Sequence, residues 1–247
     1  MKRLSVVLFI LCSAVILCAS VTQAQAAPDR FVQWGTKGDD TQIQLGMEGR
    51  DLIVQFGFSG KDTQYAAGSD GDDMVVQNGE AGDDSQTVDA GDGNDYVSQE
   101  GSFGSDVMSA AGADGNDIIT QNGGTGNDDF YAVGEEGNDR ITITGGEGND
   151  IIRADGGDEN DIVRIEGGAG KDAITYDISP GQDTAYIDGG SGVDTLTINR
   201  GAQNFTVFDR RGNVLYQYGV GGTMITVVSI EQGKILDPDG NIIYHWP

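Results

Sequence analysis

Fifteen aspartates recur at a fixed spacing of eleven residues, and their carboxylates are the groups in this chain best suited to binding a cation. Carboxylate oxygens are hard ligands of the kind that Ca²⁺ prefers. Because the period holds without insertion or deletion, it indicates stacked structural units, and the carboxylates must then stack as well. These candidate metal ligands are Asp40, Asp51, Asp62, Asp73, Asp84, Asp95, Asp106, Asp117, Asp128, Asp139, Asp150, Asp161, Asp172, Asp183 and Asp194.

The repeating unit that carries these aspartates reads approximately G-G-x-G-N-D-x-h-x-h-x, where h is apolar or uncharged, and occurs fifteen times over 35–199. Its first six positions are rich in Gly, Asn and Asp, which is typical of turns. Positions 7 to 11 alternate, which predicts a strand. Positions 8 and 10 carry no charged residue in any unit. We therefore expect those two side chains to face inward and positions 7, 9 and 11 to face outward.

Residue types also return every 22 positions, which predicts two units per turn of a coil. Two sheets would then face each other, with their strands running in opposite directions. Columns of Ile or Val would face columns of Ala, and buried Gln side chains would bond to one another along the stack as a ladder. The Gln columns are Gln33, Gln55, Gln77, Gln99 and Gln121 on one sheet, and Gln42, Gln64 and Gln86 on the other.

The predicted fold is all-β: a parallel β-roll, or β-solenoid, of about eight 22-residue turns with a C-terminal β-hairpin cap. The roll is expected over 27–199, beginning with a half-unit at 29–34. In the tail, 200–247, two segments read as strand, tight turn, strand, at 207–216 and 235–244. A further strand is expected over 223–230, and the β-rich tail as a whole is expected to cap the stack.

The N-terminus has the layout of a cleaved secretory signal peptide, predicted over 1–26. Lys2 and Arg3 precede an apolar run, and a small-residue site follows at Ala24-Gln25-Ala26. The run is shorter than the roughly 20 residues of a spanning helix. We therefore expect a secreted protein, extracellular or at the cell surface, with the periplasm left open. Both cysteines, Cys12 and Cys18, fall in this segment, so processing would leave no thiol.

The charge of the chain favours cations as partners. The formal net charge is −26, and removal of Lys2 and Arg3 leaves 12 basic against 40 acidic residues, or −28. Such a surface repels nucleic acid and anionic membranes and attracts cations.

With two units per turn, the aspartates form two columns in which neighbours lie about one strand spacing apart. Like charges at ~5 Å repel by roughly 3 kcal/mol at an effective dielectric of about 20. Either the carboxylates take up protons or a cation lies between them. We expect several Ca²⁺ ions, because Gly-rich turns expose carbonyl oxygens and the processed chain has only His245 as a softer ligand. A simpler alternative is that each Asp only accepts backbone N–H bonds in its turn.

Four turns carry a motif that resembles a known family. Residues 123–128, 145–150, 167–172 and 189–194 match G-G-x-G-x-D. This resembles the RTX, or hemolysin-type, calcium-binding repeat, and the resemblance covers 35–199. It implies a parallel β-roll that holds Ca²⁺ between successive turns on each edge, with folding coupled to the metal.

The chain departs from the RTX pattern in several places. Its unit has eleven residues where the family has nine, which predicts longer strands. Glu159 replaces the second turn Gly, and Lys37, Arg50 and Lys61 place side-chain cations in the first turns. The number of occupied sites is therefore left open. The best candidates follow Gly-Asn and are Asp95, Asp117, Asp128, Asp139 and Asp150.

The sequence predicts a non-enzymatic protein. With one His and no Cys after processing, neither a Ser-His-Asp nor a Cys-His set can form. The aspartates also repeat too evenly to give an acid and a base different environments. Residues 237–241 resemble the start of an EF-hand loop, but the Glu at loop position 12 would lie beyond Pro247, so we expect a β-turn there.

The leading hypothesis is a secreted calcium-binding β-roll with a structural or interaction role at the cell surface or in the extracellular matrix. The alternatives are an ice- or polysaccharide-binding solenoid and an accessory module of an extracellular enzyme system. One outward column also predicts an exposed apolar stripe that contacts the cap or a partner. It contains Leu52, Met74, Tyr96 and Ile118.

Overall fold

The computed structural model describes residues 28–246, and the predicted signal peptide lies outside this range. Within it the protein is built of β-strands without a helix, and so has no helix that could cross a membrane. The strands of the repeat region are β1 (Arg30–Trp34), β2 (Thr41–Leu45), β3 (Leu52–Ser59), β4 (Thr63–Asp70), β5 (Met74–Ala81), β6 (Ser85–Asp92), β7 (Tyr96–Phe103), β8 (Val107–Asp114), β9 (Ile118–Thr125), β10 (Asp129–Glu136), β11 (Arg140–Glu147), β12 (Ile151–Asp155), β13 (Ile162–Gly170), β14 (Ala173–Asp177), β15 (Thr184–Gly192) and β16 (Thr195–Asn199). Those of the tail are β17 (Phe205–Asp209), β18 (Val214–Tyr218), β19 (Thr223–Val228), β20 (Gln232–Leu236) and β21 (Ile242–Trp246).

The strands form two sheets that divide the odd and even members of the repeat. One sheet has the order β1-β3-β5-β7-β9-β11-β13-β15-β19-β17-β18, and the other β2-β4-β6-β8-β10-β12-β14-β16-β20-β21. Within the repeat every pairing is parallel and joins a residue to the one 22 positions later, as in Val75 with Val97. The predicted β-solenoid is therefore confirmed. It has about nine turns where eight were expected, because β19 and β20 add a parallel strand to each sheet.

The core lies between the two sheets and follows the predicted alternation. Residues at positions 8 and 10 are buried, whereas those at positions 7, 9 and 11 are exposed or half-buried. Packing adjusts by paired changes of size across the core. Tyr176 occupies a column that elsewhere holds mostly Ala, and the facing column of Ile and Val changes to Ala185 nearby. The apolar part of the core therefore keeps its density along the roll.

The glutamines form the predicted ladders. Gln77 donates one Nε2 hydrogen bond to Oε1 of Gln55 (2.8 Å) and another to the carbonyl of Thr87 (3.1 Å). Gln64 and Gln86 repeat this arrangement on the other sheet. Because both hydrogens of each inner amide are used, the amide groups are buried without a large desolvation cost. The first ladder ends at Gln121, whose buried Oε1 atom has no partner.

The tail forms the two predicted hairpins, β17–β18 and β20–β21, both antiparallel. Their aromatic rings pack over the end of the core: Tyr216 contacts Tyr244 at 5.0 Å between centroids, and Tyr244 contacts Trp246 at 5.9 Å. Residues 237–241 form the β-turn of the second hairpin, with Gly240 N–H donating to the Asp237 carbonyl. The hairpins end the parallel stacking and cover the last apolar turn.

The end of the Gln ladder makes a matched test of the core. Ile143 and Ile165 follow Gln121 in the same column, and both are fully buried. In Ile143→Gln the new Nε2 can donate to the unpartnered Oε1 of Gln121, whereas in Ile165→Gln it has no amide neighbour. We expect Ile165→Gln to cost about 1.5 kcal/mol more unfolding free energy than Ile143→Gln, measured by urea unfolding. Equal costs would contradict the ladder account.

Candidate metal centre

All fifteen repeat aspartates lie inside the roll, at its two edges. Each is the last residue before a strand, and the alternation of that strand turns its side chain inward together with positions 8 and 10. Their exposed fractions run from 0% to 8%. The aspartates form the two predicted edge columns, but the burial of their carboxylates was not predicted from the sequence.

One oxygen of each carboxylate except that of Asp40 is fixed by the backbone of the preceding turn. The N–H of Asp95 donates to Oδ1 of Asp117 (2.7 Å), and the N–H of Asp117 donates to Oδ1 of Asp139 (2.8 Å). The other column is bonded in the same way, for example from Asp106 to Asp128 (2.8 Å). Each of these Oδ1 atoms therefore takes the place of a carbonyl in the sheet ladder at the point where the strand begins.

The second oxygen of most column carboxylates is buried and has no hydrogen-bond partner. An unpaired buried polar atom is costly, and a charged one more so. Twelve of the fifteen aspartates are in this condition, and they line both edges of the roll. The unpartnered Oδ2 atoms belong to Asp62, Asp73, Asp84, Asp95, Asp106, Asp117, Asp128, Asp139, Asp150, Asp161, Asp172 and Asp194.

Glycine at position 1 of thirteen of the fifteen units makes room for the Oδ2 atoms, and Ala90 and Ile178 take that position in the other two. A Cβ on Gly101 would lie 2.3 Å from Oδ2 of Asp106 and 2.8 Å from the carbonyl oxygen of Gly123. The same cradle surrounds Asp128, where a Cβ on Gly123 would lie 2.2 Å from Oδ2 and 2.6 Å from the Gly145 carbonyl oxygen. Two kinds of hard oxygen, carboxylate and carbonyl, therefore surround one small space in each turn.

Burial raises the pKa of most column carboxyl groups, and the N–H bond to Oδ1 opposes this only in part. Charges in the same column add to the rise, as Asp117 does for Asp95. The pKa is raised to about 7 for Asp95, Asp106, Asp117 and Asp161, and to about 6 for Asp62, Asp73, Asp139 and Asp150. Burial also raises the pKa of Asp84, Asp128, Asp172, Asp183 and Asp194.

The columns are satisfied differently at their ends. Oδ2 of Asp51 accepts the Met47 N–H at 2.9 Å, and Oδ2 of Asp40 accepts the Thr36 N–H. At the C-terminal end, the Asp183 N–H donates weakly to Oγ1 of Thr223 (3.4 Å), and the Asp194 N–H donates to Glu231 (2.8 Å).

Sequence analysis missed Thr223 and Glu231. They occupy the register of the next aspartates, but the hairpin β17–β18 lengthens the spacing and hides the period. Their positions are recognised from the pairing of β19 with β15 and of β20 with β16, which is seen only in the folded structure.

The basic residues of the first turns do not neutralise the columns. Arg50 pairs with the exposed carboxylate of Asp72, at 3.5 Å. No ion pair in the described chain joins Lys37, Arg50 or Lys61 to a column aspartate. The turn that contains Glu159 keeps its shape, because Glu159 itself takes a φ of +79°, which Gly adopts more readily.

Other predicted features lie away from the columns. His245 is on the exposed surface of β21, at the far end of the roll. Met74, Tyr96 and Ile118 are 39% to 43% exposed and stack in register on the outer face, so the apolar stripe is present. Across residues 28–246 no group of three or more His, Cys, Asp or Glu side chains converges on one point. A metal would therefore have to be held by successive turns and by backbone carbonyls.

Comparison of the chain with family models, with curated proteins and with solved structures gave no match. The resemblance to the RTX repeat stays a prediction that rests on four turn motifs.

Position 1 is Gly in thirteen of the fifteen units and is Ala90 or Ile178 in the other two. Around Asp106 the cradle predicts that a side chain at position 1 costs stability. In Gly101→Ala the new Cβ would press on Asp106 Oδ2 and on a backbone carbonyl, so we expect a loss of about 2 kcal/mol from overpacking. The control is Gly38→Ala, whose Cβ would meet nothing closer than Thr36 Oγ1 at 3.9 Å. Urea unfolding of both variants measures the difference. A Gly101→Ala protein as stable as the control would show that the cradle is loose.

The raised pKa values predict how stability depends on pH when no metal is present. Between the ordinary Asp pKa of 3.8 and the folded values of about 6 to 7, the folded state holds protons that the unfolded state has lost. Stability is therefore greatest below that window and falls as pH rises through it. In chelator, the urea midpoint should be lower at about pH 8 than at about pH 5. A midpoint that rises with pH would contradict this assignment.

Proposed function

We propose that this protein is a secreted, non-enzymatic, calcium-binding β-solenoid whose fold depends on Ca²⁺ and whose role is structural or interactive, at the cell surface or in the extracellular matrix. The observation that carries the proposal is the pair of columns of buried Oδ2 atoms without partners. At neutral pH the charge of such a column must be neutralised by protons or by cations. Ca²⁺ can do so without an acidic environment.

The donor set suits a hard cation. Twelve turns each offer one free carboxylate oxygen, and carbonyl oxygens lie nearby, as around Asp106 and Asp128. Stacked turns lie about one strand spacing apart, ~4.8 Å, and this is about twice a Ca–O distance of ~2.4 Å. Oxygens from two successive turns would hold each ion. When bound, Ca²⁺ would supply positive charge to an interior that has none of its own.

The columns serve stability rather than catalysis in this proposal. Successive aspartates have almost the same surroundings, so no two of them are set apart as acid and base. Calcium bound only to the folded roll would shift the folding equilibrium in proportion to its concentration. A chain of formal charge −28 after processing would then fold where calcium is plentiful, outside the cell.

Calcium binding by isothermal titration tests the proposal with a pair of isosteric variants. In Asp128→Asn with Asp150→Asn, Oδ1 can still accept its N–H, but the second position becomes a neutral donor. We expect fewer bound ions, and an unfolding free energy in chelator higher by on the order of 2 kcal/mol, because like charges about 5 Å apart are removed.

The control is Asp129→Asn, which removes one charge from an exposed residue beside Asp128. It should leave the number of bound ions unchanged. Calcium binding of the wild type no stronger than binding of Mg²⁺, or an undiminished ion count in the Asp128→Asn, Asp150→Asn protein, would reject the proposed sites.

A further inference from the structure

We propose that two copies of this protein associate through the N-terminal ends of their rolls, with β1 of each copy pairing antiparallel with β2 of the other. This end differs from the rest of the roll in its strand edges, its outer side chains and its charge. The strand edges and the outer side chains are independent of the aspartate columns, and the charge difference remains when the column aspartates are left out, so the inference does not rest on calcium binding.

The first difference is that, among the described residues, both sheets end here in a strand with one unpaired edge. β1 pairs only with β3, and β2 only with β4, among the strands of residues 28–246. In the repeat, the N–H of position 7 donates to the preceding turn, as from Leu52 to Asp29. By strand alternation the N–H groups of Val32 and Ile43, both at position 9, point to the free edges. Such edges are templates for another strand.

The second difference is the apolar outer surface of the first turns. Val32 is 51% exposed, Trp34 61%, Ile43 37% and Leu45 49%. Deeper in the roll the same columns turn polar: Trp34 leads to Phe56, then to Asn78 and Glu100. The ring of Trp34 stacks on Phe56 at 4.5 Å on one side, while its other side faces the open end.

The third difference is charge. Residues 28–61 carry four basic and five acidic side chains, whereas residues 63–139 carry eighteen acidic and no basic ones. Two copies would repel each other strongly along their middles and much less at their N-terminal ends. The exposed apolar side chains of the first turns therefore lie where electrostatic repulsion is weak, and this favours a second copy as the occupant.

The geometry of the coil selects one arrangement of the two copies. Two strands make one turn, so β2 lies half a turn further along the axis than β1, and strands of the two sheets run in opposite directions. Consider a two-fold axis that runs parallel to the strands between the two N-terminal ends. It places β2 of the second copy beside β1 in one sheet, and β1 of the second copy beside β2 in the other sheet. Both new pairs are antiparallel and lie at one strand spacing. Pairing β1 with β1 instead leaves a gap of two spacings in the other sheet.

This arrangement continues features already present in the roll. Gln33 of one copy would stack on Gln42 of the other, so the Gln ladders would meet across the interface. Val32 would face Ile43 of the second copy. A lipid surface cannot replace this partner, because it leaves the edge N–H and C=O groups unpaired. The contact area is small, so we expect dissociation constants in the micromolar range.

Cross-linking of single-cysteine variants tests the pairing, since the processed chain would contain no other thiol. An expression host exports the protein through its own N-terminal segment, so that the processed form is obtained. The experiment is then carried out either with Ca²⁺ or at acidic pH, whichever condition gives the full β signal in circular dichroism. A mixture of the Val32→Cys and Ile43→Cys proteins should give a covalent heterodimer with a short bismaleimide. The cross-linker is chosen so that it cannot reach across three strand spacings, which is the distance between the control positions one turn deeper. Either variant alone should cross-link far less.

The matched control mixes Val54→Cys with Tyr65→Cys, the equivalent positions one turn deeper, which should not cross-link. Sedimentation of the wild type should show a dimer that strengthens with added salt, because salt screens the shared negative charge. Val32→Pro with Ile43→Pro removes two edge N–H groups and should give a monomer, whereas the corresponding Thr variants should still associate. A wild type that stays monomeric through the micromolar range, or preferential cross-linking of Val32→Cys to itself, would overturn the proposal.

Discussion

The fold depends on how each aspartate divides its two oxygens. Oδ1 accepts a backbone N–H from the neighbouring turn, and this bond holds the start of every strand in register. Oδ2 is buried beside it and, in the middle of the roll, has nothing to bond to. Each turn therefore gains a hydrogen bond and an unpaired charge from the same residue. A proton or a cation at Oδ2 neutralises the charge and leaves the hydrogen bond to Oδ1 intact.

This division explains why the repeat tolerates so little variation at its corners. Glycine at position 1 of most units leaves space for Oδ2, and the residue before the strand must present an oxygen to the preceding turn. The two ends of the columns use other means: Thr223 and Glu231 at the last turn, and the Thr36 and Met47 N–H groups at the first. Most of the unpartnered Oδ2 atoms therefore lie in the middle of the columns, away from their ends.

Periodicity was enough to predict the two sheets, the 22-residue register, the inward Gln and Ile columns and the C-terminal hairpins, because each depends on spacing alone. It was not enough to predict the burial of the aspartates. The composition of the unit assigns position 6 to the turn. Only the backbone of the folded chain shows that the alternation of the strand extends to this position and turns the side chains of Asp106 and Asp117 inward. The ninth turn was missed for a related reason: β17 and β18 interrupt the period before β19 and β20 resume the stack.

The central claim is that the buried Oδ2 columns require a counterion at neutral pH. Thermal unfolding of the exported protein at about pH 8, followed by circular dichroism after exhaustive chelation and again with saturating Ca²⁺, tests it most directly. The account predicts little ordered β-structure, or a much lower melting temperature, in the chelated sample, and recovery on adding Ca²⁺ but not Mg²⁺. Identical melting curves with and without metal would contradict it.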